Sequence, residues 1–169
     1  IPEFSYRLTV KNLTNNQPMS PVAFAIHRDG FNPWQVGVPA SNGLEQLAEG
    51  GATDEFLNNT NIMASSSGDG ILMPGMSQVI EVTVNSNNNI MFSSATMLVN
   101  TNDAFTGLKQ QLISDLMPGD SMTFIGRVYD AGTESNSEAQ NTMPGPADMG
   151  EGYNETRDDV DFVAMHPGV

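Results

Sequence analysis

From Tyr6 to Lys11 the chain alternates apolar and polar residues without a fault: Tyr6-Arg7-Leu8-Thr9-Val10-Lys11. At a period of two this predicts a strand with one face buried and one face wet. Gln78 to Val84 repeats the pattern after a Pro74-Gly75 turn, with Ile80, Val82 and Val84 on one face. Val22 to His27 is instead a continuous apolar run behind Ser20-Pro21, which predicts a more deeply buried strand. Further strands are predicted at Ile90–Phe92, Thr96–Val99, Ser121–Asp130 and Asp161–Met165. The period turns helical once, within Ser41–Gly51, where Leu44, Leu47 and Ala48 share a face, Asn42 and Glu45 form a capping pair and glycines close the end. A second short helix is predicted over Asp54–Asn58, with Thr53 as its cap. The Ser/Asn/Gly-rich stretch from Asn59 to Gly70 and the Gly/Ser/Asn/Pro-rich stretch from Ala131 to Tyr153 read as loops. About seven or eight strands with one or two short helices and long loops predict an all-β fold, an antiparallel β-sandwich.

The 169 residues show no fixed-period repeat and no shift in composition, so one domain is expected over residues 5–169. Ile1-Pro2-Glu3-Phe4 breaks the pattern that follows and reads as vector-derived, which places any export signal upstream of this chain. With 20 acidic against 6 basic residues and a net charge of −14, the chain lacks the clustered cations that a nucleic-acid backbone requires. No apolar run is long enough to span a bilayer, so no transmembrane segment is expected. The absence of Cys removes disulfides, thiolate nucleophiles and thiolate metal sites together. Residues 1–100 hold 8 acids and 3 bases, whereas residues 101–169 hold 12 acids and 3 bases, so the second half carries most of the surplus. Such a surplus keeps a protein soluble, and spread over loops it also suits a fluid containing calcium, where oxygen-rich loops hold a hard cation.

Two acidic loci follow predicted strands. Asp103 lies beyond Val99, and Asp130 and Glu134 flank the bend Ala131-Gly132-Thr133. Carboxylates at i and i+4 around a glycine-containing bend can converge on one point, and a third from another strand end completes an oxygen cage of the kind calcium takes. The plainer reading is that each Asp is a turn former bonded to its own backbone. Asn102 and Asn136 could add amide oxygens, but nothing in the sequence selects them above solvent.

The run Ser94-Ala95-Thr96-Met97-Leu98-Val99-Asn100-Thr101-Asn102-Asp103-Ala104-Phe105-Thr106-Gly107-Leu108, together with Tyr129-Asp130-Ala131-Gly132-Thr133-Glu134, resembles the spondin N-terminal (F-spondin) domain family, and its bacterial branch in particular. Ser20-Pro21, His27, Gly37, Ala40-Ser41, Gly43-Leu44, Leu47-Ala48-Glu49 and Pro144-Gly145-Pro146 extend the resemblance over nearly the whole chain from Ser5. The resemblance implies a C2-like β-sandwich in an extracellular setting, with one Ca2+ held by Asp103, Asp130 and Glu134. The chain departs from the animal pattern in having Glu134 where Asp is usual and Ala104 where an aromatic is usual. The expected function is a non-enzymatic, secreted, periplasmic or cell-surface module for adhesion or matrix interaction, a monomer whose partner is an extracellular protein, glycan or matrix component. The competing reading is a C2-like or lectin-like module in which the ion bridges to lipid headgroups or sugar hydroxyls.

Other residues are better explained by packing. His27 and His166 lack ligand spacing for a shared transition metal, and no nucleophile elbow or Ser–His–Asp motif appears. Asp158-Asp159-Val160-Asp161 is the best acidic run for a hydrolase and reads more simply as a solvated loop. Trp34, the lone tryptophan, is expected to close the core rather than to stack on a sugar, and the 11 Met residues read as core filler. Asn12-Leu13-Thr14, Asn58-Asn59-Thr60 and Asn154-Glu155-Thr156 match the glycosylation pattern, which matters only in a eukaryotic secretory host.

Overall fold

The two alternating segments pair with each other. In the computed structural model, which describes residues 1–137 and 139–168, β1 (Phe4–Lys11) lies antiparallel to β4 (Ser77–Val84) in unbroken register from Phe4↔Val84 to Lys11↔Ser77. Their common apolar face carries Tyr6, Leu8, Ile80 and Val82, while Arg7 and Glu81 meet on the wet face. This two-stranded sheet packs on a six-stranded antiparallel sheet made of β2 (Ala23–His27), β3 (Ile62–Ser67), β5 (Met91–Met97), β6 (Ala104–Leu112), β7 (Arg127–Asp130) and β8 (Ala164–Met165), in the order β3-β2-β5-β6-β7-β8. The all-β sandwich with one short helix is thus the observed fold.

The apolar run of β2 is buried at every position because it is covered on both faces. Phe24 and Ile26 enter the core shared with the two-stranded sheet, whereas Ala23 and Ala25 face the other way, with Ala95 of β5. These small residues leave room for α1 (Asn42–Gly50), whose Leu44, Leu47 and Ala48 pack there beside Phe31, Trp34 and Phe105. Two strands cannot cover six, and the segment following β6 lies over part of the remainder through Ile113, Leu116 and Phe124. A cavity of about 1440 Å³ stays open there between β1 and residues 116–126, walled by Leu8, Val10, Leu108 and Phe124.

Several predicted elements are corrected. The polar stretch Asn59–Gly70 contains β3, held at the sheet edge by pairing with β2. Ile90–Phe92 and Thr96–Val99 merge into one strand, β5, since the intervening serines pair with β2 as well as the apolar residues do. The stretch Ala104–Leu112, for which no strand was predicted, is β6, while Ser121–Gly126 makes no ladder and only Arg127–Asp130 of the predicted long strand is regular. The last strand shrinks to Ala164–Met165. Asp54–Leu57 is a single turn, closed by the Leu57 N–H on the Thr53 carbonyl at 3.0 Å, rather than a helix. The cap of α1 is Ser41, whose Oγ accepts from the Leu44 N–H at 3.1 Å, in place of the Asn42/Glu45 pair. Val169 of the expected domain lies outside the described residues.

Candidate metal centre

Strand pairing brings the two acidic loci together. Ala104, the first residue of β6, pairs with Asp130, the last residue of β7, and the Ala131 N–H donates to the Asp103 carbonyl at 3.2 Å. Asp103 therefore opens a strand rather than closing one, and it lies beside the bend that follows Asp130. The bend needs Gly132: its φ is 71°, and a Cβ there would strike the Phe162 carbonyl. Thr133 and Glu134 are thereby turned back over Asp103, whose Oδ2 accepts from the Thr133 N–H at 2.8 Å, the Thr133 hydroxyl at 3.3 Å and the Glu134 N–H at 3.1 Å.

The three predicted ligands are not equivalent. Asp103 is fully buried, and its Oδ1 has no hydrogen-bond partner. Glu134 is partly buried, and its Oε2 likewise has none. Both oxygens of Asp130 have donors: Oδ1 accepts from the Gly132 N–H at 2.8 Å and Oδ2 from the Asn136 amide at 2.6 Å. Asp130 thus makes the turn-former bond, with a lone pair left on each oxygen.

Glu49 was not among the predicted ligands. It sits in the last turn of α1 and is fully buried; its Oε2 accepts from the Asn154 N–H at 2.8 Å, and its Oε1 has no partner. Among the described residues five buried side-chain polar atoms lack a partner, and three of them are the carboxylate oxygens of Glu49, Asp103 and Glu134. Such atoms are rare in folded proteins because each forfeits its hydration without replacement.

Electrostatics mark the same cluster. Burial, followed by the charge of Asp130, pushes the Asp103 carboxyl up to about 6. Burial, followed by the charges of Glu49, Asp103, Asp158 and Glu151, pushes Glu134 up to about 8. Burial also raises Glu49, against the lowering effect of the Asn154 N–H and the Thr133 hydroxyl. Arg157 is the nearby cation, but its guanidinium is engaged elsewhere: two bonds of 2.9 Å to Glu45, one to Asp161 and one of 2.8 Å to the Ala40 carbonyl.

An all-oxygen set of close, buried carboxylates with free lone pairs fits a hard cation such as calcium. With the side chains as placed, no three Asp, Glu or His residues among those described stand in coordination geometry, so the side chains must draw inward to hold an ion.

The remaining candidates fall to packing. Buried His27 bonds Ser93 Oγ and the Arg28 carbonyl, each at 2.8 Å, and sits edge-on to Phe31. Trp34 is buried against Phe105 and Tyr129 and closes the core, as expected. Asn12 is fully buried and bonded to the Gln17 and Leu72 carbonyls, which removes the first glycosylation triplet. Within the acidic run, Asp158 accepts from the Ser135 N–H and Asp161 pairs with Arg157. Asn102 turns its amide toward the Thr142 carbonyl.

A family model described as Spondin_N matches residues 10–149, which includes Glu49, Asp103, Asp130 and Glu134. No curated protein matches the chain. Among the described residues, no helix is long and apolar enough to cross a membrane.

Proposed function

Because the chain belongs to the Spondin_N family, we propose that it is a non-enzymatic extracellular or cell-surface module for adhesion or matrix contact, with one calcium ion pinning two loops at one end of the sandwich. The observation that carries this reading is the pair of unpartnered buried oxygens, Asp103 Oδ1 and Glu134 Oε2, on neighbouring loops. Asp103, Asp130 and Glu134 would hold the ion, which would neutralise carboxylates that burial and mutual repulsion otherwise hold near protonation. The chain's own bonds prepare the site: Asp103 Oδ2 fastens the Thr133–Glu134 backbone and Gly132 fixes the bend. The module then offers a partner a fixed loop surface. Calorimetric titration of chelator-stripped protein with calcium, magnesium and zinc tests the reading. One calcium should bind, and Asp103→Asn, Asp130→Asn and Glu134→Gln should each weaken it; absence of calcium binding to the wild type overturns the proposal.

A further inference from the structure

We propose that Glu49 is a fourth carboxylate ligand of this cation site, so that the ion ties α1 to the two loops as well as the loops to each other. The inference rests on the calcium reading above and extends it to a third part of the chain.

Three independent costs fall on Glu49 at once. It is fully buried, and its Oε1 has no donor although its other oxygen is held by the Asn154 backbone. It lies in the last turn of α1, where the helix carbonyls present negative partial charge and where no basic residue stands. Its charge is the largest of those acting on Glu134, ahead of that of Asp103. A solvated glutamate would avoid all three costs, and a hydrogen-bonded core residue would not leave an oxygen bare. The cation in reach does not relieve them, because Arg157 spends its bonds on Glu45, Asp161 and the Ala40 carbonyl. Thr133 also joins the groups: its hydroxyl donates to Asp103 and lies near enough to Glu49 to influence it, but one hydroxyl proton serves only one acceptor at a time. A divalent ion serves several acceptors together, and the three bare oxygens of the cluster belong to Glu49, Asp103 and Glu134.

The geometry also explains why Glu49 stays put. Its Oε2 is fixed by the Asn154 N–H, and the same strand of chain is anchored three residues later by Arg157 on Glu45, one turn back along α1. The glutamate is thus held from behind with its free oxygen left over. Asp130, by contrast, has both oxygens already bonded.

The test is calorimetric titration with calcium chloride of wild type, Glu49→Gln, Asp103→Asn and, as a charge control, Glu55→Gln, an exposed acid in the turn after the helix. Glu49→Gln should weaken calcium by about tenfold or more, as Asp103→Asn does, while Glu55→Gln changes it less than about twofold. If the wild type and Asp103→Asn behave as the calcium reading requires but Glu49→Gln binds like wild type, this inference falls and that reading stands. If the wild type binds no calcium, the reading itself falls and takes the inference with it. A second measurement holds even if the variant folds poorly: in the wild type, calcium should slow amide hydrogen exchange in the last turn of α1 and at Asn154 as well as at Thr133 and Glu134. Slowing confined to the loops overturns the proposal.

Discussion

The two faces of the six-stranded sheet obey different rules. Toward β1 and β4, the buried side chains described carry no charge: Phe24, Ile26, Ile80, Val82, Phe92 and their apolar neighbours, with Ser94 and Thr96 beside them. Toward α1, an apolar cluster of similar make-up around Leu47 and Phe105 is bordered at one end by all four carboxylates that are buried among the described residues: Glu45, Glu49, Asp103 and Asp130. The first face is what hydrophobic burial with a few uncharged polar groups would build. The second retains groups that burial penalises, and it retains them in one place. Stability does not require that arrangement, so the α1 side is where a ligand must be looked for.

The contrast can be broken first by cutting each core. Phe24→Ala and Leu47→Ala should each cost on the order of 2–5 kcal/mol in urea unfolding, since both side chains are buried and leave a cavity. Only Leu47→Ala should also weaken calcium, because it loosens the helix that carries Glu49; equal effects on calcium from both would erase the distinction between the faces. Next in size, saturating calcium at a hundredfold excess over Kd should stabilise the protein by about 2.7 kcal/mol, a rise in Tm of about 5–10 °C that chelator reverses. Phe24→Ala should keep that rise in full.

Acidity sharpens the comparison further. Asp103 and Glu134 are raised from 3.8 and 4.5 to about 6 and about 8. The folded, metal-free protein therefore holds protons more firmly than the unfolded chain, and the associated stability is present below pH ~4 and is lost as pH rises through about 8. Chemical denaturation without metal should give a lower midpoint at pH 9 than at pH 5, and the drop should shrink in Glu134→Gln. Calcium affinity should run the other way, strengthening as the carboxylates ionise. The smallest effect belongs to the opposite sheet: Arg7→Ala removes a pair whose side chains are 69% and 60% exposed, and should change stability by no more than about 0.5 kcal/mol, with no change in calcium titration.

How much of this could be read from the sequence follows from the same division. β1 and β4 were legible because one face of each is wet, which writes the period into the residues. β3 was not, because Ile62-Met63-Ala64-Ser65-Ser66-Ser67 is held by backbone pairing at an edge and needs little apolar content. β6 was hidden by Gly107 and by the polar run Lys109-Gln110-Gln111, yet the glycine is required there, as a Cβ would strike the Ser94 carbonyl of the neighbouring strand. In the site, Asp103 lies beside the bend that carries Asp130 and Glu134 because β6 and β7 pair just there, a long-range pairing that no local pattern writes into the residues. Glu49 was missed because a glutamate on a short helix looks like surface. Its signal was present all the same: Glu45 and Glu49 lie one helical turn apart on the side of α1 that also carries Leu44 and Ala48, so both were bound for burial.

The bonds that hold α1 to the later chain have a consequence for how the molecule assembles. Glu45 and Arg157 are 112 residues apart in sequence, and Glu49 and Asn154 are 105 apart. Contacts of that separation close a long loop and carry a larger entropic cost than the β5–β6 hairpin, whose partners are near neighbours. A fragment stopped at residue 149, where the family match ends, would contain every carboxylate of the cluster and still lack the segment that positions Glu49. The structural unit thus extends past the recognisable one, and the acidic end of the sandwich is completed by chain beyond it.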